Sequence, residues 1–299
     1  MTTERWLAAA ALSLACLTGN VKSASASEWV KIRTNVDARS FAGDWLISTD
    51  RVTGRNDYYV KYWSGTAYVT DVATGGLGTA YVAGTSITVG PDLIPAMIRA
   101  DGRVFRRDQV TTTWHPYPQS KCGVSGSFSA RRTNGTLRSY LASGFGSATP
   151  KLFAVAEGAT NSDIYYFSDT GNCWQKTSGA YEQISISATG VIWSVTAAKT
   201  LASYDLASDV WTPYVAPYLQ PLKIAGGTAF ATHTTQQPPV IVWTAFGSSW
   251  NQWDDTWAQY TTALPSAVAE FWNKNNPDLE AMLVYSQTER AVRVWTASD

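Results

Sequence analysis

The sequence predicts an all-β fold, a closed β-propeller of six four-stranded blades, on three observations. Fourteen tryptophans are spread over 299 residues, most of them in short alternating runs of strand length. These runs fall into groups separated by Gly, Asp, Asn and Thr turn signals. The last group is one run short, and an unattached strand-like run, EWVKIR at Glu28 to Arg33, stands at the opposite end of the chain.

Taken in order, the first unit runs from SFAGDWLIS through DYYVKYW to TAYVTDV. The second is SITVG, PAMIRAD, RVFRRD and TTTWHPYP, with Asp101-Gly102 supplying the positive dihedrals of a tight hairpin. The third is the longest: KLFAVAEG, DIYYFSD and GNCWQKT, preceded by a hairpin of SFSARR and TLRSYL around Asn134-Gly135. Its length predicts an insertion. The fourth is the cleanest, with YEQISISA, VIWSVTAA, LASYDLAS and VWTPYVAP broken at Thr189-Gly190, Lys199-Thr200 and Asp209. In the fifth, LKIAGG, TAFATHTT, PVIVWTAFG and SWNQWDD, the apolar run from Val240 to Trp243 suits a strand buried on both faces.

The sixth unit offers SAVAEFW, LEAMLVYSQ and AVRVWTA, although AVAEF and LEAMLVY also pass as helical turns on propensity. Borrowing EWVKIR as the outer strand would satisfy backbone groups at both edges. The trailing tryptophans Trp114, Trp174, Trp211, Trp250 and Trp295 are spaced by 60, 37, 39 and 45 residues, centred on the length of a blade. Five or seven blades also fit the ambiguous first and third units. A β-sandwich would need fewer and longer repeats.

Residues 1 to 26 read as a secretory signal: a polar start, an apolar stretch too short to span a bilayer, and Ala24-Ser25-Ala26 at the spacing of a cleavage site. A lipid anchor on Cys16 fits less well, with Ser13 where such a signal prefers Leu. The expectation is a secreted or extracellular chain whose residues 27–299 form one domain, without membrane insertion. Removing the signal takes away Arg5, Lys22 and Glu4, leaving 21 basic and 22 acidic side chains. That balance excludes a basic field for nucleic acid. Cys122 and Cys173 are then the remaining cysteines, and a disulfide between them is the expectation for an exported chain. Asn134-Gly135-Thr136 is a glycosylation sequon in a host that uses one, and otherwise a turn.

The last unit, AVAEFWNKNNPDLEAMLVYSQTERAVRVW, resembles the repeat of the fungal fucose-binding lectins: an apolar run ending in Trp, a Val-Tyr strand ending in Gln, and a strand ending in Trp. QISISATGVIWSV is similar to tectonin-type propeller repeats, where a TG turn leads into a Val-Trp strand. Both are sugar-binding propellers, so the resemblance implies a lectin. The departures lie where the fucose lectins hold sugar hydroxyls with an Arg and a Glu, positions that fall near Leu283 and Val294 here. Arg99 is the one second-strand arginine in a comparable place, with no matching Glu in VFRRD.

A sugar site needs an aromatic face for the C–H side of the ring and a planar polar group for its hydroxyls. Trp193, Trp243, Trp272 and Trp295 end strands near turns, with Arg99, Arg106 and Glu270 as polar partners. Packing between blades explains any one of these tryptophans equally, because a buried Trp removes about 150–250 Å² from water. Asp169-Thr170-Gly171-Asn172-Cys173-Trp174 partly matches the Asp-box of sialidases, in which the box is a turn away from the active site. Arg131, Arg132 and Arg138 crowd one hairpin instead of converging across blades as a sialidase requires.

His115 and His233 are the only histidines, too few for a His-based metal centre or a serine triad. Asp254 and Asp255 are sequence neighbours that face opposite ways in a strand, so they do not form a glycosidase pair. No catalytic residue, metal or cofactor is expected. The leading functional expectation is a lectin with several weak glycan sites between blades, acting through multivalency on glycoconjugates. The alternatives are a sialidase-like glycoside hydrolase and a non-catalytic, protein-binding propeller.

Overall fold

A computed structural model of the chain describes residues 28–54, 56, 58–72, 83–90, 92–131, 141–146, 149–156, 163–180, 183–186, 192–195, 201–214, 219–225, 228–233, 240–245, 251–252, 267–271, 281–286 and 290–296. Among them every regular element is a strand. The chain enters as β1 (Glu28–Arg33), which has no neighbour in the first sheet. That sheet is β2 (Ala38–Ala42), β3 (Trp45–Arg51), β4 (Tyr58–Trp63) and β5 (Tyr68–Thr70), with the short β6 (Ala83–Gly84) also paired to β4. The second comprises β7 (Ser86–Val89), β8 (Pro95–Ile98), β9 (Val104–Arg107) and β10 (Trp114–Pro116). The third comprises β11 (Leu141–Gly146), β12 (Thr149–Val155), β13 (Asp163–Ser168) and β14 (Cys173–Ala180).

The fourth sheet is β15 (Gln183–Ile186), β16 (Ile192–Val195), β17 (Leu201–Asp205) and β18 (Val210–Tyr214). The fifth is β19 (Leu219–Ala225), β20 (Thr228–His233), β21 (Val240–Ala245) and β22 (Asn251–Gln252). The sixth holds β23 (Ala267–Phe271), β24 (Ala281–Ser286) and β25 (Ala291–Thr296), and β1 completes it. AVAEF and the AMLVY part of LEAMLVY are therefore strands: tertiary pairing overrides their helical propensity.

β1 runs antiparallel to β25, pairing Glu28 with Thr296, Trp29 with Trp295, Val30 with Val294 and Lys31 with Arg293, then bulging before Arg33 meets Val292. The first strands of the sheets lie against one another in order, β2 by β7, β7 by β11, β11 by β15, β15 by β19, β19 by β23 and β23 by β2. At the junction of the sixth and first sheets, the Tyr285 hydroxyl accepts the Ala38 N–H and donates to the Val36 carbonyl, both at 3.1 Å. Its ring stacks on Phe41 at 5.8 Å.

Period-two alternation sorts the side chains between neighbouring sheets. On β8, Met97 faces a cluster shared with the first sheet (Trp45, Ile47, Tyr58, Val60), together with Ile87, Phe105 and Trp114. Its neighbours Ala96 and Ile98 join the cluster that runs through the third and fourth sheets. Strands such as β8, β15 and β16 are buried along their whole length, the pattern expected of strands covered on both faces.

The third unit departs from the expected hairpin. Its first strand is Leu141–Gly146, and the SFSARR run before it is a connection. That connection is held elsewhere: the Ala130 N–H bonds the Gly102 carbonyl at 2.8 Å, and the Arg131 N–H bonds the Val155 carbonyl at 2.6 Å. Residues 132–140, with the Asn134-Gly135 turn, lie outside the described residues. The expected Asp101-Gly102 turn is present, with Gly102 at φ 78° and a would-be Cβ 2.0 Å from Ser129 Oγ. Only glycine fits there.

Earlier in the same connection, Ser120 to Cys122 extends the edge of β14 in parallel fashion, through the bonds Trp174 N–H to Ser120 O and Cys122 N–H to Trp174 O. The disulfide Cys122–Cys173, with its Cα atoms 5.2 Å apart, fastens this extension. Underneath, Trp174 stacks on Phe128 at 4.1 Å, and its indole N–H donates to the Pro118 carbonyl at 2.8 Å. Tyr117, edge-on to Phe167 in the same nest, is buried enough to push its phenol up to about 12. The Asp-box-like Asp169 to Asn172 is the turn leading into this strand, with Asn172 at φ 48°.

The disulfide closes a loop of 51 residues, which restricts the unfolded chain by about 4 kcal/mol on loop-entropy grounds. Replacing both cysteines by serine should lower the urea midpoint by the equivalent of roughly 2–4 kcal/mol. Unchanged midpoints in chemical denaturation would show that the strap adds nothing to stability.

Candidate functional site

The seam between the first and second sheets brings together the most concentrated set of charged and aromatic side chains among the described residues. Arg103 leads into β9, Phe105 lies within it and Arg107 ends it, so spacing of two turns all three toward the first sheet. Arg99 follows Met97 by two residues and reaches the same side. At one end of the seam Phe105 is covered by two guanidiniums, Arg99 at 5.3 Å and Arg103 at 5.4 Å from the ring centre. Across from it, Tyr58 is covered by Arg39 at 4.1 Å and Arg51 at 5.6 Å, and Arg51 Nε also donates to the Tyr58 hydroxyl at 3.3 Å.

Gly84 joins the two sides. It pairs with Tyr58, and a Cβ on it would sit 3.0 Å from Met97 Sδ and 3.3 Å from the Ile98 carbonyl. The backbone of β6 thus runs through a tight gap, where a side chain on Gly84 would press on Met97 and Ile47. Beside it, the Thr85 N–H and hydroxyl both donate to the Ile98 carbonyl.

The other end of the seam is closed by a buried charge cluster. Asp71, 3% exposed, accepts from Arg107 Nε at 3.2 Å, Arg107 Nη2 at 3.3 Å and the Trp114 indole N–H at 2.8 Å. The Arg107 guanidinium also lies 5.1 Å from the Trp45 ring centre, and Trp45 meets Trp114 edge-on at 6.1 Å. Both Asp71 oxygens and the Trp114 indole N–H are partnered within this cluster, which marks it as a clamp between sheets. The arginines at the opposite end are different. Among the described residues, Arg39, Arg51 and Arg103 pair with no carboxylate, and Arg103 Nε is buried without a hydrogen bond. Arg99 stands 3.8 Å from Asp101.

Of the residues singled out by sequence, Arg99 alone falls in this seam. Arg106 projects to the opposite side of β9 and is bound to Asp92 at 2.6 Å, so the two arginines do not converge. Trp193, on β16, is 5% exposed and sits inside the sheet packing. Trp243 lies on β21 of the fifth sheet, and Glu270 and Trp295 lie on β23 and β25 of the sixth, with β24 between them. Trp272 lies outside the described residues, as do Arg132, Arg138, Asp254 and Asp255. His115 is exposed, with Nε2 2.7 Å from the Thr113 hydroxyl. Among the described residues no group of three or more His, Cys, Asp or Glu side chains is placed to hold a metal ion.

The signal for the seam was present in the sequence as R-V-F-R-R, where alternation sets Arg103, Phe105 and Arg107 on one face. Arg39, Arg51, Tyr58 and Asp71 carry no such mark; only the apposition of the two sheets reveals them.

No protein-family model matches this chain, and no curated protein matches it in sequence. Solved structures do. A structure of YCF48 bound to D1 peptide shares 12% identity and superposes with a TM-score of 0.52, covering 94% of this chain and 99% of its own. YCF48 from Cyanidioschyzon merolae is similar at 12% identity and a TM-score of 0.51, covering 91% of this chain and 99% of its own. At this identity the likeness shows the fold: an all-β chain of the β-propeller type.

These neighbours correct three expectations. The resemblance to fungal fucose-binding and tectonin-type lectins does not hold beyond the propeller fold, since the structures that match are YCF48, one with a peptide bound. Glycans or glycoconjugates as partners fall with it. Trp114, Trp174 and Trp193 are buried. The secreted or extracellular placement rested on reading residues 1–26, which lie outside the described residues, as a secretory signal; the likeness to YCF48 goes against it. No described helix is long and apolar enough to cross a membrane.

Exchanging Asp71 for Asn would strip Arg107 of its counter-charge in a buried site, a change that typically costs about 3–5 kcal/mol. A large fall in the thermal midpoint, with red-shifted tryptophan emission from Trp45 and Trp114, is the expected outcome. A midpoint unchanged within error would mean that the clamp does not hold the seam.

Proposed function

We propose that residues 27–299 form one closed, six-bladed propeller and that it serves as a non-catalytic, protein-binding scaffold. Closure is supported by the borrowed strand β1 in the last sheet and by the run of neighbouring first strands that returns from β23 to β2. The observation that carries the binding reading is the likeness over 94% of the chain to a propeller solved with a peptide bound. The chain's own chemistry is consistent with such a role. Trp45, Trp114, Trp174 and Trp193 are buried, the exposed large apolar side chains among the described residues are Val72, Leu93, Val110, Val124 and Val210, and the seam presents guanidiniums beside aromatic rings.

An array of unstructured peptides of diverse sequence, probed with the full chain, tests this reading. Micromolar binding of a subset, unaffected by an excess of free monosaccharides, is expected. If no peptide is retained, the protein-binding function is wrong.

A further inference from the structure

We infer that the arginine-lined mouth of the seam between the first and second sheets is a site for an acidic polypeptide segment, whose Asp or Glu carboxylates take the free edges of Arg39, Arg51 and Arg103, with Arg99 beside them. This deepens the protein-binding reading and rests on it. A guanidinium stacked on a ring uses its face there, so its N–H groups radiate in the plane of the group. That geometry is matched by a carboxylate, which accepts two parallel N–H bonds. Tyr58 and Phe105 each have two guanidiniums within cation–π range, Arg39 and Arg51 at 4.1 and 5.6 Å and Arg99 and Arg103 at 5.3 and 5.4 Å from the ring centres.

The charge balance is the second observation. Elsewhere four arginines have acidic partners: Arg33 with Asp44, Arg106 with Asp92, Arg107 with Asp71 and Arg290 with Asp37. At the mouth, Arg39, Arg51 and Arg103 make no ion pair among the described residues, Arg99 stands 3.8 Å from Asp101, and Asp50 is occupied by Lys61 at 2.9 Å. Three positive charges are left over beside buried aromatic surface, a local excess in a chain whose formal net charge is zero. An excess confined to one gap fits two or three carboxylates on a short stretch of chain. Nucleic acid would need a basic surface extending over many phosphates.

The test uses the full-length chain and a fluorescein-labelled twelve-residue Gly-Ser peptide carrying four glutamates, alongside the same peptide with glutamines. Fluorescence anisotropy at low ionic strength should show the glutamate peptide binding at least tenfold more tightly than the glutamine one, with affinity falling as salt is added. The double variant Arg39→Gln/Arg103→Gln should lose at least tenfold for the glutamate peptide and nothing for the glutamine one. Arg103→Lys, which keeps the charge without the fork, should fall between. Arg290→Gln, on the ion pair with Asp37, should bind as the parent does.

Circular dichroism and the thermal midpoint of each variant establish that the fold is kept; if the double variant unfolds, the single Arg103→Gln takes its place, with the same expected direction. Equal binding of the two peptides, full binding by the arginine variants, or preference for a single-stranded oligonucleotide over the glutamate peptide would each overturn the inference. None of these results touches the broader reading, which stands or falls with the peptide array.

Discussion

The pairing of β1 with β25 is the contact on which the remaining architecture depends, because it joins segments from opposite ends of the described chain in one sheet. A strand left without it would expose a row of unpaired N–H and C=O groups at the edge of the last sheet, and β1 would have no sheet at all. The pairing is reinforced sideways. Arg33, at the end of β1 and 6% exposed, donates to the Gly43 carbonyl at 3.0 Å, to Asp44 and to the Tyr68 hydroxyl, and its guanidinium lies 4.4 Å from the Trp63 ring centre. Burial among these groups raises the Tyr68 phenol well above its ordinary range, which keeps it neutral and able to donate to the Gly43 carbonyl. The last sheet is thereby fastened to the first, and the first sheet provides one wall of the arginine seam.

The tryptophan content finds its explanation in packing. Trp114 and Trp174 are fully buried, and each satisfies its indole N–H on a partner that ties segments distant in sequence: Asp71 for Trp114 and Pro118 for Trp174. Trp211 does the same at the surface of the fourth sheet, donating to the Ser178 carbonyl at 2.6 Å while its ring meets Tyr204 at 4.7 Å. A large ring with a single polar tip fills the wedge between two sheets and needs only one acceptor. Repetition of that solution produces the irregular Trp spacing of the sequence.

This also explains what could be read in advance. Strand alternation and turn residues are local properties, so the units were legible from SITVG, PAMIRAD and RVFRR onward, and the borrowed strand followed from counting edges. The first strand of the third unit was not. SFSARR has strand composition, yet Gly102 and Val155 claim its backbone, and that competition is decided by two other sheets. The site was still less legible. Trp193 and Arg99 have similar local settings at strand ends, but one is sealed in a sheet and the other stands over Phe105 at a seam. Arg39 and Tyr58 are nineteen residues apart and meet only because β2 and β4 flank β3 in one sheet.

Amide hydrogen exchange of residues 28–33 and 291–296 probes the central contact most directly. If β1 completes the last sheet, the ladder amides of both strands exchange through the same slow opening as those of β2, β3 and β4. Exchange of the β1 amides within seconds, while β3 and β4 stay protected, would contradict the account and leave the last sheet with an open edge.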